Sequence, residues 1–289
     1  MAIPTDRPVH VRVASVTKSF TAVLVLQLVD EDCVDLDRPI DTYLPGVVPG
    51  GGDLTVRRIL GHRSGLPAGP ELDEYDAART GRTYTPAELA ELAFRQPALF
   101  APGARFEYTN TNYLVAGMLV EAVTGHTYAD ELRTRLLDPL SLTDTYLPAP
   151  GETGLRDPHL TGYETVDGTV VDRTRIEPSL AWAAGGLVST GADLNRFYTA
   201  LLSAKLVPEA LLRQALDGVD MDLQGLAYGL GLIYTDLPCG ARYVGHIGGG
   251  AGFTALSRAG GPDRAVTISY TGSLVPDDLP GLLAQALCD

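Results

Sequence analysis

Lysine is almost absent from this sequence. Of the 22 basic residues in 289, only Lys18 and Lys205 are lysines, and the others are arginines. A lysine amine can lose its proton when it is buried, whereas an arginine guanidinium cannot. A lysine kept in such an arginine-rich chain suggests a position that needs a deprotonatable amine. The alternative is that two lysines remain by chance.

Cysteine is also scarce and has no metal-binding spacing. Cys33, Cys239 and Cys288 form no CxxC pair, so neither a zinc site nor a disulfide framework is predicted. A single disulfide between two of them remains possible. The sequence contains no P-loop and no dinucleotide fingerprint, so we expect no metal and no cofactor. The acidic runs DEDCVDLD and DGVDMDLQG lack EF-hand spacing and are interpreted as solvated turns.

Long apolar runs and a basic surface are missing too. The most apolar stretch, FTAVLVLQLV, is too short to span a bilayer, and MAIPTDRPVH lacks the apolar core of a signal peptide. The formal net charge of −14 would repel a nucleic acid or an anionic membrane surface. We therefore expect no transmembrane segment and no nucleic-acid partner.

What the sequence does contain is a large core, since 45% of its residues are hydrophobic. From Ser15 to Glu31 apolar side chains cover most of a helical surface, which predicts a buried helix with Ser15 and Lys18 on one face of its first turn. Caps predict helices in TPAELAELAFRQ, NYLVAGMLVEAVTG and YADELRTRLLDPL. From about Tyr228, four short strands and a final helix predict an antiparallel meander covered by a helix.

Three short motifs carry candidate chemistry. In SVTK, Ser15 lies one turn from an amine that burial would deprotonate, which is what a serine nucleophile needs, although a helix start often looks the same. FEYTNTNY contains Tyr108 and Asn110 before a helix, and GHIGGG places His246 on a late strand. Each of these alone favours a structural role. Their joint occurrence, in this order and context, favours catalysis. His62 in GHRSG is interpreted as a structural turn residue.

These motifs resemble those of the penicillin-recognising serine hydrolases, which use SxxK, SxN or YxN, and KTG or HxG as three walls of one cleft. Longer stretches such as LTVRRILGHRSGL and FAPGARFEYTNTNYLVAGMLVEAVTG look like the secreted D-alanyl-D-alanine carboxypeptidases of actinomycetes, relatives of class C β-lactamases. The resemblance implies a β-lactamase/transpeptidase-like α/β fold, an antiparallel sheet covered by helices plus a mostly helical domain. We expect the α/β domain over residues 1–58 and 185–289 and the helical one over 59–184.

The resemblance also assigns roles. Ser15 would be the acylated nucleophile, Lys18 its proton acceptor and Tyr108 a general acid or base; whether Lys18 or Tyr108 takes the first proton stays open. The other implied site residues are Asn110 as a positioning amide, His246 on the opposite wall, the N–H groups of Ser15 and Gly249 as the oxyanion hole, and Trp182, Ile247 and Gly248 beside the substrate. Cys239 would pair with Cys288, leaving Cys33 free and implying an extracytoplasmic, oxidising compartment.

One departure from the family pattern concerns the start of the chain. Family members carry a longer segment before SxxK, so we expect the first helix and two strands of the sheet to be missing. An apolar sheet edge would then be exposed, and either the chain is truncated or a partner chain or second copy covers that edge. The missing segment would also contain any signal peptide.

A second departure concerns the substrate carboxylate. Ile247 stands where the family has threonine, and Gly249 where a hydroxyl residue is frequent, so bonds that hold a free carboxylate are lost. The sequence predicts a serine acyl-enzyme hydrolase, resembling a D-alanyl-D-alanine carboxypeptidase or β-lactamase, that attacks an amide or ester through Ser15. The alternatives are an esterase, amidase or D-aminopeptidase-like enzyme for substrates without a free carboxylate, a catalytically silent penicillin-binding-like protein, and a protein that is acylated without turnover.

Overall fold

The computed structural model describes most of the chain, namely residues 7–69, 80–223, 225–237, 239–240, 242–261, 263–272 and 279–288. Its helices are α1 (Thr17–Asp30), α2 (Val56–Leu60), α3 (Pro86–Ala93), α4 (Asn110–Thr124), α5 (Tyr128–Leu132), α6 (Trp182–Gly185), α7 (Gly191–Leu202), α8 (Glu209–Ala215) and α9 (Leu279–Cys288). Its strands are β1 (Val11–Arg12), β2 (Tyr163–Val166), β3 (Thr169–Asp172), β4 (Val188–Ser189), β5 (Val219–Leu223), β6 (Leu226–Tyr228), β7 (Ile233–Asp236), β8 (Arg242–Gly250), β9 (Phe253–Gly261) and β10 (Arg264–Thr271).

Helix α1 is buried on nearly all sides, as its apolar sequence predicts. Its hydroxyl groups hold neighbouring loops: Ser19 donates to the carbonyl of Gly231 at 2.8 Å, and Thr21 donates to that of Ala183 at 2.7 Å. The helix begins at Thr17, because residues 14–16 form a 3₁₀ turn. Ser15 therefore lies in the turn before the helix and not in its first turn.

The main sheet is an antiparallel meander of six strands in the order β10-β9-β8-β7-β6-β5. Strand β8 pairs with β9 from Val244 to Gly250. Its other neighbour, β7, pairs only with residues 242–245. Among the described residues, the half of β8 from 246 to 250 therefore has one edge without a partner strand, and this edge faces the site described below.

Helices α7 and α9 pack against this sheet. Ser257 hydrogen-bonds Thr267 at 2.8 Å, and Thr267 donates to Asn195 of α7 at 2.8 Å. A side chain added at Gly260 would lie 3.7 Å from Leu287 of α9. Both helices therefore contact the outer part of the sheet.

One part of the sheet differs from the expectation. The run DGVDMDLQG, interpreted as a solvated acidic turn, contains strand β5, and that interpretation was wrong for residues 219–223. The strand has exposed acidic residues and ends the sheet, which is where a charged edge is tolerated. At the opposite end, no strand pairs with the outer edge of β10 among the described residues. A partner chain that covers this edge stays a prediction, as does the division into two domains.

The structure joins Cys239 to Cys288 by a disulfide, with a Cα–Cα distance of 6.0 Å, and leaves Cys33 exposed and free. The bond ties the connection between β7 and β8 to the last residue of α9. No helix within the described ranges is both long enough and apolar enough to cross a membrane.

Candidate active site

Ser15 lies in a strained turn between β1 and α1. The residue before it, Ala14, has φ 44°, a left-handed conformation that alanine rarely adopts. Strand β8 packs directly against this turn, since a side chain on Gly248 would clash with the carbonyl oxygen of Val13 and lie 2.9 Å from the Ser15 nitrogen. Only glycine lets the two backbones approach so closely. Strain that the surroundings hold in place is frequent at functional sites.

Lys18 is fully buried and its amine touches Ser15. Its Nζ lies 3.0 Å from Ser15 Oγ, 2.8 Å from Asn110 Oδ1 and 2.7 Å from the carbonyl oxygen of Ala184. Both Asn110 Oδ1 and the carbonyl can only accept. A neutral amine must therefore give its two protons to them, which turns its lone pair toward the hydroxyl of Ser15. Burial lowers the pKa of Lys18 from 10.5 to about 7, so this neutral form is populated near neutral pH.

Tyr108 and Asn110 reach this pair from the start of α4. Asn110 is the first residue of that helix, and the Lys18 Nζ lies 4.9 Å from the centre of the Tyr108 ring. Burial raises the pKa of Tyr108 well above its usual range, and a hydrogen bond with Ser15 opposes this only in part. The phenol therefore stays protonated at neutral pH. Near neutral pH these pKa shifts favour Lys18 over Tyr108 as the base, because the amine is partly deprotonated there and the phenol is not.

The opposite wall is strand β8, whose His246 is 1% exposed. Its Nε2 lies 3.1 Å from the Tyr228 oxygen, and its Nδ1 lies 2.6 Å from the carbonyl oxygen of Ile247. Both ring nitrogens are therefore occupied within the protein. The side chain is buried behind the strand and lines neither of the cavities described below, and it has no free nitrogen to present to a substrate. Its place on the substrate-facing wall stays a prediction.

Two small cavities flank Asn110, which lines both. The nucleophile cavity, of about 100 Å³, is lined among others by Ser15, Asn110, Ile176, Pro178, Gly249 and Ala251. The tryptophan cavity, of about 110 Å³, is lined among others by Asn110, Leu89, Leu114, Leu180 and Trp182. Of the residues predicted to contact substrate, Gly249 and Trp182 therefore lie at a cavity, whereas Ile247 and Gly248 line neither.

The nucleophile cavity carries little charge. Arg12 is the one charged residue among the described residues that line it. Its guanidinium donates to the carbonyl oxygens of Thr153 at 2.6 Å and Thr174 at 3.0 Å. In the part of the chain that the structure describes, no group of three His, Cys, Asp or Glu residues is placed to hold a metal ion. The arrangement is suited to attack by the serine on an uncharged carbonyl group.

Two residues that sequence reasoning left outside the site lie directly behind it. The ring centre of His62 lies 4.2 Å from that of Tyr108, and the Tyr228 oxygen lies within hydrogen-bond distance of both His62 and His246. No spacing in the sequence signals this cluster. GHRSG, FEYTNTNY and YGLGL are distant along the chain, and only the tertiary fold brings them together.

Comparison with known proteins agrees with this geometry. The family model described as Beta-lactamase matches residues 5–276. A D-stereospecific amidohydrolase from Streptomyces sp. has 32% sequence identity and a TM-score of 0.87, with 97% of this chain and 87% of that chain covered. A D-amino acid amidase from Ochrobactrum anthropi, solved with L-phenylalanine amide, has 29% identity and a TM-score of 0.78, with 94% and 79% covered.

A curated relative is similar over a smaller share of its own length. Penicillin-binding protein 4* of Bacillus subtilis is 24% identical over 258 residues, which are 84% of this chain and 56% of that protein. The chain therefore spans about half the length of this relative.

Proposed function

The chain belongs to the β-lactamase family, and on this basis we propose that it is a serine hydrolase that forms an acyl intermediate on Ser15. The predicted family and fold class are confirmed, since the family model matches nearly the whole chain and the solved neighbours have the same fold. The observation that carries the proposed activity is the contact between Ser15 and a buried amine whose other two contacts are acceptors.

The proposed reaction begins when Ser15 Oγ attacks a carbonyl carbon and its proton passes to Lys18 Nζ. The carbonyl oxygen becomes an oxyanion that the backbone N–H groups of Ser15 and Gly249 stabilise. The adduct collapses as the bond to the leaving group breaks, and Lys18 returns the proton to the departing amine or alcohol. Water then attacks the acyl ester and gives a proton to Lys18. The second tetrahedral adduct collapses as the bond to Ser15 Oγ breaks, and Lys18 returns the proton to Ser15 Oγ as the acid leaves.

We propose that the substrate is an amide without a free carboxylate beside the scissile bond. The one charged residue that lines the nucleophile cavity in the described chain, Arg12, already donates to two backbone carbonyls, and Ile247 has no hydroxyl group. Both solved neighbours are named for hydrolysis of amides of D-configured compounds, which supports a D-amino acid amide as the first substrate to test.

A second candidate is D-alanyl-D-alanine carboxypeptidase activity, as the sequence resemblance implied. The Bacillus subtilis relative named for penicillin binding favours it. This candidate requires the cleft to recognise a free carboxylate without the threonine hydroxyl that Ile247 replaces.

The test is intact-protein mass spectrometry together with turnover assays. The purified chain is incubated with p-nitrophenyl acetate, with D-phenylalaninamide, with its L isomer and with benzylpenicillin, and Ser15→Ala is the control. We expect an acetyl adduct and release of ammonia from the D-amide, both dependent on Ser15, and little penicilloyl adduct. A stable penicilloyl adduct on Ser15 would favour the carboxypeptidase. No adduct and no turnover from a folded protein would leave a catalytically silent binding protein.

We also propose that the protein works outside the cytoplasm. The disulfide between Cys239 and Cys288 supports this proposal, because such bonds persist mainly in oxidising compartments. Fractionation of the native host with an antibody to the protein would test it, and a cytoplasmic signal with both thiols reduced would contradict it.

A further inference from the structure

A chain of hydrogen bonds between neutral side chains lies behind the cleft. His62 Nδ1 accepts from the backbone N–H of Thr109 at 3.2 Å and from Asn112 Nδ2 at 3.0 Å. Since Nδ1 is an acceptor, the ring proton is on Nε2, which donates to the Tyr228 oxygen at 3.2 Å. The tautomer of His62 is thereby fixed by its partners.

The chain continues into strand β8. The His246 Nδ1 faces the carbonyl oxygen of Ile247 at 2.6 Å, and a carbonyl can only accept, so the ring proton of His246 is on Nδ1. Its Nε2 is then an acceptor, and the Tyr228 hydroxyl donates to it at 3.1 Å. Each proton has one position, and His62 and His246 are held in opposite tautomers.

The two ends of this chain hold the two walls of the cleft. At one end, Thr109 stands between Tyr108 and Asn110, and the His62 ring also packs on the Tyr108 ring with centres 4.2 Å apart. At the other end, His246 is two residues before Gly248, whose backbone packs against the turn that carries Ser15. A change in these hydrogen bonds would therefore change the distance between the two walls.

We propose that His62 and Tyr228 are positioning residues for acylation, which set the separation between the Tyr108–Asn110 segment and strand β8. The inference rests on the proposed function. His62 is 0% and Tyr228 is 1% exposed, so neither touches a substrate, and both act through Tyr108 and His246. A displacement of about 1 Å among reacting groups can lower a rate by about 100-fold.

The hydrogen-bond chain through His62, Tyr228 and His246 should also keep the same geometry over the working pH range. Burial, followed by the nearby charge of Lys18, holds the pKa of His62 and that of His246 well below the usual range for histidine. Burial raises the pKa of Tyr228 well above its usual range. None of the three therefore changes its protonation near pH 7, where Lys18 titrates.

Two substitutions break the same link of the chain in different ways. Tyr228→Phe removes the hydroxyl, whereas His62→Asn keeps an oxygen that can accept from Thr109 but is too short to reach Tyr228. Asparagine also tolerates the left-handed backbone of His62, whose φ is 54°. We expect each to lower the acylation rate with p-nitrophenyl acetate by about 10- to 100-fold, with less change in KM. The double variant should lose little more than either single one.

The matched control is Tyr198→Phe, which removes another buried phenol hydroxyl. That hydroxyl donates to Ser19 at 2.9 Å and does not belong to the hydrogen-bond chain through His62 and His246. It should leave the acylation rate nearly unchanged at a similar cost in thermal stability. Histidine-selective ¹⁵N NMR of the wild type should show His62 protonated on Nε2 and His246 on Nδ1, and Tyr228→Phe should move both signals.

Additive losses in the double variant, or an equal loss in Tyr198→Phe, would overturn the inference. So would a wild type in which the two histidines share one tautomer. If the wild type forms no acyl adduct, the proposed function fails. The NMR result still decides whether the hydrogen bonds from His62 through Tyr228 to His246 form as described.

Discussion

Two regions of the site, the amine beside Ser15 and the pair of imidazoles behind the cleft, bury basic nitrogen atoms to nearly the same depth but use them differently. Lys18 in the first region and His62 and His246 in the second are at most 1% exposed, and burial lowers the pKa of all three. The amine of Lys18 in its neutral form still has a lone pair that points at a reacting hydroxyl. Every nitrogen of the two imidazoles is occupied by a neighbour.

The comparison shows that burial alone does not make a base. Burial sets the pH at which a group is neutral, and hydrogen-bond partners decide whether its lone pair is available. The lysine has three contacts and, when neutral, two protons, so one contact must receive its lone pair. In the two imidazoles every ring nitrogen has a hydrogen-bond partner within the protein, and none is left for a substrate.

The largest expected effect comes from Lys18→Arg, which keeps the charge and removes the lone pair. An arginine stays protonated at every accessible pH, so acylation of Ser15 should fall by roughly 1,000-fold or more. Stopped-flow release of p-nitrophenol measures the rate, and circular dichroism checks the fold. A folded variant with a rate within tenfold of the wild type would mean that Tyr108 takes the first proton.

This first prediction depends on a contact that the sequence predicted. The SxxK spacing placed Ser15 near Lys18, because the two residues are three positions apart at the start of a helix whose apolar sequence supplies burial. Local signals also served elsewhere: Thr85 and Glu88 form the capping box that starts α3, and Gly125 ends α4 with φ 72°.

Other features could not be predicted because they depend on contacts between distant segments. Nothing near His62 indicates that its Nδ1 meets Thr109, 47 residues away. Strand β5 was missed because its acidic residues are tolerated only at a sheet edge, and edges are set by the order of strands. The β2–β3 hairpin was a missed local signal, since Asp167 and Gly168 form the kind of turn, with φ 48° and 77°, that joins paired strands.

A smaller expected effect distinguishes Lys18 from the two histidines through the pH dependence of the free energy of unfolding. In the unfolded chain Lys18 keeps its ordinary pKa of 10.5, whereas in the fold it is about 7. Between these values the unfolded chain binds the additional proton, so the free energy of unfolding rises with pH by about 1.4 kcal/mol per unit. Below about pH 7 both states are protonated and the full penalty is present.

Lys18→Met removes this penalty, so the variant should gain stability over the wild type at pH 6, and that gain should shrink as the pH approaches 10. Urea unfolding at several pH values measures the difference. An equal difference at pH 6 and pH 9 would mean that Lys18 is not desolvated. His62→Asn, made behind the cleft, should show no such slope between about pH 8 and pH 10, because an unfolded histidine with its ordinary pKa of 6.5 is already neutral there.

The smallest expected effect comes from Asn110→Asp, which replaces a neutral acceptor of Lys18 with a charged one. A carboxylate 2.8 Å from the amine would favour its protonated form and raise its pKa. The pH midpoint of acylation should move upward by about one unit, which lowers the rate at pH 7 by about fivefold and restores much of it at pH 9. A uniform loss at all pH values would instead indicate a role for Asn110 in holding the substrate.

The burial of Lys18 also makes the protein convenient to attach or label. Lys205 is exposed and is the other lysine of the chain, so reagents that acylate surface lysines should modify Lys205 while leaving Lys18 intact. A dye or resin can therefore be coupled through one side chain without chemical damage to the nucleophile's partner. In most enzymes of this size, the many surface lysines would give a mixture of products.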